Sequence, residues 1–343
     1  YALSILFTIL LIAVLALVGG YLYIAPQLPS IDPIREARYQ VPLRVYSADH
    51  KLIAEYGEKK RIPLRYETLP PQLVHAFLAA EDDRFFDHPG VDYQGLSRAL
   101  LVFLKTGQKS QGGSTITMQM VRNFVLSADR TFMRKAKEII LSLKVEQQLT
   151  KAQILELYLN KIYLGNRAYG VGAAAQVYYG KTVDELTLPQ IAMIAGLPKA
   201  PSIYNPIINP ERALERRNYV LRRMRELGYI DDSTFQFGVA APLSATLYKQ
   251  PIELEAPYIG EMVRATLVEQ FGEAAYHNGY VVTTTVTTPL QEAANAALRK
   301  TLLEYDQRHG YRGVEAHVDL PAQADEAALR DVLERFSPIG SLL

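Results

Sequence analysis

Residues 131–164 read TFMRKAKEIILSLKVEQQLTKAQILELYLNKIYL, and their apolar residues recur at helical spacing in two successive segments. Thr150 and Gln153 have the spacing of a capping box at the start of the second segment. A capping box satisfies backbone N–H groups that a helix leaves unpaired at its first turn. The pattern therefore predicts two helices that are separated at Thr150.

The same periodicity marks other parts of the chain: PPQLVHAFLAAEDDRFF, LSRALLVFLK, VDELTLPQIAMIAGL and RALERRNYVLRRMREL. Thr187 and Gln190 have capping-box spacing, and Gly228 follows the last of these segments where a helix C-cap belongs. Turn residues separate the segments. Together they predict a mainly α-helical region from about Glu67 to Pro242.

The sequence before this region lacks the helical periodicity. The run VPLRVYSADHKLIAEYG (41–57) alternates and then turns at Ala48 to His50, which predicts a β-hairpin. Ala25 to Arg35 contains three prolines, a composition typical of an extended stalk.

The first segment, Ala2 to Ile24, contains no charged residue. As a helix it would measure about 34 Å, enough to cross a hydrocarbon core of about 30 Å. The alternatives are a cleaved signal peptide, whose apolar run is usually shorter, and a core helix, which is less often apolar on every face. We expect a transmembrane anchor, and flanking charge does not indicate its orientation.

After the helical region, YVVTTTVTT (280–288) is β-branched and precedes a helical run from Leu290 to about Tyr305. A strand followed by a helix predicts the start of an α/β or β domain. The expected fold class is therefore mainly α, with this organisation: a transmembrane anchor at 1–28, a stalk and β-hairpin at 29–65, the helical domain at 66–242, and a linker with the incomplete beginning of a C-terminal region at 243–343.

Composition excludes several classes of protein. The 343 residues have a formal net charge of only +1, which disfavours a nucleic-acid binder that works by bulk charge. Hydrophobic residues make up 49%, enough to build a core and to exclude wholesale disorder. The absence of cysteine removes disulfides, thiolate zinc sites and cysteine nucleophiles.

Three short motifs contain the polar residues that are best suited to catalysis or ligand binding. EDDRFFDHPG (81–90) puts an acidic cluster at a helix end, QGGSTITMQMVRN (111–123) combines glycines with hydroxyls, amides and a cation, and RKAKE (134–138) places two cations and a carboxylate on one helix face. Taken singly, each also fits an ordinary solvated helix end, a capping turn or a surface ion-pair set. The two cations and the carboxylate of RKAKE suit a phosphate site and a surface ion-pair set equally, so no single motif decides between the two interpretations.

These motifs are followed by KIYLGNRAYG (161–170) and RRNYVL (216–221). In order and spacing the series resembles the five motifs of the glycosyltransferase family 51 domain, over about residues 65–240. The flanks resemble those of a class A penicillin-binding protein of the 1a type. One departure is visible, because the family often has two glutamines where this chain has Met118 and Gln119. We take Gln119 as the polar contact.

The resemblance implies a lysozyme-like glycosyltransferase fold and a membrane-bound peptidoglycan polymerase. Such enzymes join lipid II to a growing glycan chain by inversion, form a β-1,4 link and release undecaprenyl pyrophosphate. Matched residue by residue, Glu81 is the catalytic base. The resemblance also implies substrate-binding residues, which are Asp82, Phe85, His88, Ser114, Thr115, Gln119, Arg122, Asn123, Arg130, Arg134 and Lys135. His88 suits a structural hydrogen bond better than the role of a base, and we interpret the Arg216/Arg217 pair and KIYLG as mainly architectural.

The resemblance implies that Glu138 is the second essential acidic residue. A carboxylate beside a pyrophosphate repels it, so Glu138 either coordinates a Mg²⁺ or Mn²⁺ ion or orients Lys135. No histidine cluster suggests zinc, and no organic cofactor is expected.

The expected partners are lipid II, the glycan chain, membrane lipid, moenomycin-type inhibitors and other cell-wall synthesis proteins, and not nucleic acid. The expected location is the inner membrane, as a single-pass protein with its catalytic part on the periplasmic or extracytoplasmic side.

The LLVFL strip (100–104) is either a membrane-facing surface or part of a core helix. No Ser-x-x-Lys motif occurs in these residues, so we interpret KTG at 105–107 as a coincidence.

Two alternatives to a polymerase stay open. A lytic glycosidase could share the lysozyme-like fold, but it has no use for a pyrophosphate site. A non-catalytic scaffold would not need both Glu81 and Glu138.

Overall fold

The computed structural model describes residues 2–35, 41–57, 61–95, 113–126, 131–248 and 251–310, together with 97, 314, 317–318, 329–330 and 332. The helices are α1 (Ala2–Ile24), α2 (Asp32–Arg35), α3 (Pro71–Glu81), α4 (Ile116–Val125), α5 (Phe132–Glu146), α6 (Lys151–Lys161), α7 (Val171–Tyr179), α8 (Leu188–Gly196), α9 (Pro210–Glu226), α10 (Asp232–Ala240), α11 (Pro257–Phe271) and α12 (Thr288–Arg308). The strands are β1 (Leu43–Tyr46), β2 (Leu52–Tyr56) and β3 (Val281–Thr283). The expectation of a mainly helical protein is confirmed.

Local capping sets several helix ends. The Thr150 hydroxyl accepts from the backbone of Gln153, whose side chain accepts in return, so the predicted capping box of α6 is confirmed. The box predicted for Thr187 at α8 is confirmed as well. Helix α9 is followed by Gly228 at φ 75°, a left-handed conformation that glycine adopts without a Cβ penalty.

The chain folds as two compact units, the first comprising 1–43, 56–250 and 271–280 and the second comprising 44–55, 251–270 and 281–343. Helix α8 lies in the core of the first unit, where every residue from Pro189 to Gly196 is buried. It packs against α3 and α9. A helix that is buried on all sides needs apolar residues all round, as the sequence IAMIAG (191–196) provides.

The turn before α7 depends on glycine. Gly170 has φ 89°, and a Cβ placed on it would lie 2.8 Å from the Asn160 carbonyl oxygen. We expect Gly170→Ala to lower the free energy of unfolding by about 1–3 kcal/mol, because it adds both backbone strain and a clash. Chemical denaturation measures this loss. Gly228→Ala is the matched control, since Gly228 has positive φ but open space around it. Equal losses in the two variants would show that the clash has no effect.

The second unit contains the small sheet, in the order β2-β1-β3. The predicted hairpin turn is present, with the Ser47 N–H donating to the Lys51 carbonyl at 2.9 Å. Strand β1 pairs in parallel with β3, where Arg44 lies opposite Val281. The β-branched run forms a strand only over β3, and the next residue, Thr284, donates to the Tyr46 carbonyl from its backbone N–H at 2.8 Å and from its hydroxyl at 3.0 Å.

The charge-free N-terminal run forms α1, a continuous helix of 23 residues. No helix in the part of the chain that the structure describes is long and apolar enough to cross a bilayer, so the expected transmembrane anchor at 1–28 is not confirmed. The LLVFL strip, the KTG tripeptide and Arg130 lie outside the described residues. The domain boundaries drawn from the sequence stay predictions.

Candidate active site

A cavity of about 590 Å³ opens at the C-terminal end of α3. Its wall combines residues of the first, second and fifth motifs, among them Glu81, Asp82, Ser114, Gln119, Arg122 and Arg216. Glu81 and Arg216 come together because α3 and α9 both pack against α8, and the start of α4 is joined to Asp82 by a hydrogen bond from the Ile116 N–H. Motifs that are far apart along the chain therefore share one concave surface, which is where ligand sites usually form.

Glu81 is the last residue of α3, and its side chain is only 11% exposed. Gln119 Nε2 donates to Glu81 Oε2 at 2.9 Å, and Arg216 Nη2 donates to Oε1 at 3.3 Å. Burial raises the pKa of Glu81, although the hydrogen bond from Gln119 and the charges of Arg216, Lys199 and Arg122 oppose the rise. The net result is a carboxylate that takes up a proton more readily than an exposed glutamate.

Helix α4 presents Gln119 to this carboxylate and buries its neighbour Met118 completely. The hydroxyl of Tyr158 on α6 donates to Gln119 Oε1 at 3.4 Å. Complete burial raises the pKa of Tyr158 well above its ordinary value, so the hydroxyl remains a neutral donor. The glutamine amide is thus oriented from one side by Tyr158 and faces Glu81 with its NH₂ group.

Glu138 is 1% exposed and is neutralised by two cations of its own helix. Lys135 Nζ donates to Glu138 Oε2 at 2.9 Å and to Ser114 Oγ at 2.7 Å. Arg134 donates to the other carboxylate oxygen, Oε1. A buried carboxylate requires such partners. The contacts place the Lys135 ammonium group next to Ser114 on the cavity wall.

These contacts bear on the expected divalent cation. Both oxygens of Glu138 contact cationic side chains, and the described residues contain no group of three or more histidine, aspartate or glutamate side chains that could hold a metal ion. The donor set around Glu138 therefore does not fit a metal ion. The divalent cation stays a prediction, and no step below depends on it.

A buried polar network joins the first motif to the second. His88 Nδ1 accepts from the Gly90 N–H at 3.2 Å, so Nε2 carries the proton that is donated to Asp82 Oδ1 at 3.0 Å. Asp82 Oδ2 accepts from the Ile116 N–H at 2.9 Å, and the Thr115 hydroxyl donates to the Gly90 carbonyl at 2.6 Å. The network holds the start of α4 beside Glu81. Substrate contacts by Asp82, His88 and Thr115 stay predictions.

Two other expected substrate-binding residues, Phe85 and Asn123, do not line the cavity. Phe85 is 1% exposed and belongs to the core, with Lys151 Nζ 4.4 Å above its ring. Asn123 is half-buried on α4, one residue after the cavity residue Arg122.

The structure separates the two arginines of the fifth motif. Arg217 donates to the carbonyls of Ala241 at 2.7 Å and Val239 at 2.9 Å, which is an architectural role. Arg216 instead contacts Glu81 in the cavity, a role that the sequence interpretation missed. A signal was available, because both arginines occupy positions on the buried stripe of α9, where an arginine needs a specific partner.

Comparison with known proteins gives a consistent result. Residues 49–225 match the Transglycosylase family. The chain is 53% identical over 324 residues to penicillin-binding protein 1A of Pseudomonas aeruginosa, covering 94% of this chain and 39% of the relative. It is 54% identical over 295 residues to penicillin-binding protein 1A of Escherichia coli, covering 86% and 35%.

A solved structure is similar as well. The 2.6 Å crystal structure of penicillin-binding protein 1A from Haemophilus influenzae has a TM-score of 0.52 and 35% identity, covering 88% of this chain and 35% of that chain. The chain therefore spans less than half the length of these relatives.

Proposed function

The chain belongs to the transglycosylase family, and from this membership we propose that it is a peptidoglycan glycosyltransferase. In the proposed reaction lipid II is joined to a growing glycan chain through a β-1,4 link, and undecaprenyl pyrophosphate is released. The observation that carries the proposal is the buried Glu81 carboxylate, with its raised pKa, on the wall of a cavity that is also lined by Ser114, to which Lys135 donates a hydrogen bond.

Glu81 accepts the proton of the attacking sugar hydroxyl in this mechanism. The hydroxyl oxygen forms a bond to the anomeric carbon of the donor as the bond from that carbon to the pyrophosphate oxygen breaks. A single displacement of an α-linked pyrophosphate gives a β-linked product. Burial supports the proton transfer, because a base is most effective when its pKa lies near the working pH.

The departing pyrophosphate requires positive charge and hydrogen-bond donors. Lys135 and Arg134 supply charge, and the Ser114 hydroxyl lies within 2.7 Å of the Lys135 ammonium group. Glu138 holds both cations and so limits their freedom before substrate arrives. Cations arranged in advance stabilise a developing charge without further reorganisation.

The pH dependence of polymerisation follows from the position of Glu81. The base works only when ionised, and burial shifts its protonation to higher pH than in an exposed glutamate. As the pH is lowered, polymerisation activity should therefore begin to fall at a higher pH than it would if the base were an exposed glutamate.

The decisive experiment supplies purified protein with lipid II in liposomes. Glycan chains on a gel, with undecaprenyl pyrophosphate as the second product, would support the polymerase. Soluble muropeptides released from preformed peptidoglycan would instead support the lytic alternative. The Lys135–Ser114 pair favours the polymerase, because hydrolysis of a glycan releases no anionic group for it to bind.

We further propose an extracytoplasmic protein of the inner membrane, anchored by α1. The charge-free sequence from Ala2 to Ile24 supports this proposal. The other proposed partners are membrane lipid, moenomycin-type inhibitors and further cell-wall synthesis proteins.

Removal of residues 1–28 tests the anchor. The truncated protein should stay folded and should bind liposomes more weakly than the full chain, because an apolar helix contributes strongly to membrane affinity. Flotation of both proteins with liposomes measures the difference, and circular dichroism checks the fold. Equal flotation of the two proteins would show that α1 is not the anchor.

A further inference from the structure

We propose that Arg216 is a positioning residue for the base: it holds the Glu81 carboxylate ionised and aims one of its oxygens into the cavity. This inference rests on the proposed role of Glu81 and extends it. The arginine acts on the reaction through Glu81 and needs no contact with substrate.

The guanidinium group of Arg216 is held from several directions. It is 7% exposed, with Nη2 3.3 Å from Glu81 Oε1 and Nε donating to the Gly196 carbonyl at 3.2 Å. The ring of Tyr219 lies 4.5 Å from the guanidinium carbon. A planar guanidinium can make these two hydrogen bonds and the cation–π contact at once, from separate nitrogen atoms and its face, whereas a lysine ammonium is a single point charge. The arginine therefore presents a fixed charge to the carboxylate.

Gly196 provides a second, independent observation. A Cβ at this position would lie 2.9 Å from Arg216 Cγ. The backbone of Gly196 is helical, at φ −78°, so its conformation does not require glycine. The glycine is needed for space, and that space is filled by the arginine stem. The end of α8 is thus shaped around Arg216.

Several groups face Glu81 from the elements that surround it: Gln119 and Arg122 on α4, Tyr158 on α6, Lys199 after α8, Arg216 on α9, and the adjacent Asp82. Among the described residues, only Gln119 and Arg216 donate hydrogen bonds to the Glu81 carboxylate. Gln119 is neutral, so Arg216 supplies the charge in direct contact. Without it, burial would favour the protonated acid, which cannot act as a base.

The test is the pH–rate profile of polymerisation from lipid II, measured on the full chain and on folded variants. Relative to the wild type, Arg216→Met should reduce the rate at about pH 6 by a factor at least ten times larger than at about pH 9. The reason is that the buried carboxylate then holds its proton more tightly. Arg216→Lys should recover part of the loss at low pH. Arg217→Met is the matched control on the same helix. It should lower thermal stability and leave the acid limb of the profile unchanged.

Gly196→Ala displaces the arginine without removing its charge, and it decides the question if Arg216→Met fails to fold. Like Arg216→Met, Gly196→Ala should shift the fall in rate at low pH towards higher pH, but by a smaller amount. An unchanged pH–rate profile in folded Arg216→Met protein, or in Gly196→Ala protein where Arg216→Met does not fold, with Glu81→Gln inactive, would overturn the inference while leaving the base in place. Normal turnover by Glu81→Gln would instead overturn the proposed role of Glu81 itself.

Discussion

Glu81→Gln should reduce polymerisation of lipid II by a factor on the order of 10² or more, while the protein stays folded. The amide preserves the size of the side chain, and its one oxygen can accept a hydrogen bond from either Gln119 or Arg216, but it cannot take up a proton. Initial rates of glycan formation measure the loss. Thermal melting checks that the variant folds.

Glu226→Gln is the matched control for this experiment. Glu226 lies on the wall of the same cavity, and its side chain is 43% exposed and paired with Arg223. An exposed ion pair contributes little, so this variant should keep a rate near that of the wild type. A normal rate in Glu81→Gln would remove Glu81 from the mechanism, and an equal loss in both variants would assign the effect to cavity charge in general.

Lys135→Ala should weaken both turnover and the binding of a moenomycin-type phosphoglycolipid inhibitor. Hydrogen bonds between charged groups contribute about 1.5–3 kcal/mol each, which corresponds to a loss of about 10- to 150-fold in affinity. Lys135→Arg keeps the charge and should recover part of each loss. Titration calorimetry measures the inhibitor affinity of each variant.

The control on the same helix is Lys137→Ala, since the described contacts of Glu138 come from Lys135 and Arg134. Its removal should leave inhibitor affinity unchanged. The titrations also include Glu138→Gln with and without Mg²⁺. The observed ion pairs predict a loss that does not depend on the metal. A loss seen only with Mg²⁺ would assign Glu138 to a cation, and unchanged affinity in Lys135→Ala would contradict the pyrophosphate site.

The sequence predicted the helices well because their ends depend on neighbours in the chain. The capping boxes at Thr150 and Thr187 join residues three positions apart, so their spacing is visible without a fold. The RKAKE motif is similar, since Arg134, Lys135 and Glu138 share a helix face and meet as the periodicity requires. The β-branched run (280–288) was less informative, because only its first part, β3, pairs with another strand.

By itself, then, the sequence determined the helical framework, the chemical types of the site residues and the local ion pairs around Glu138. Only the tertiary structure decided which distant groups meet Glu81. Gln119 lies 38 positions from it along the chain and Arg216 lies 135 positions away. The Arg216 contact requires α3 and α9 to pack against α8, and the Gln119 contact requires the start of α4 to lie beside Asp82. No local pattern encodes either arrangement. The raised pKa of Glu81 has the same origin, because loss of contact with water is a property of the packed protein and not of the residue.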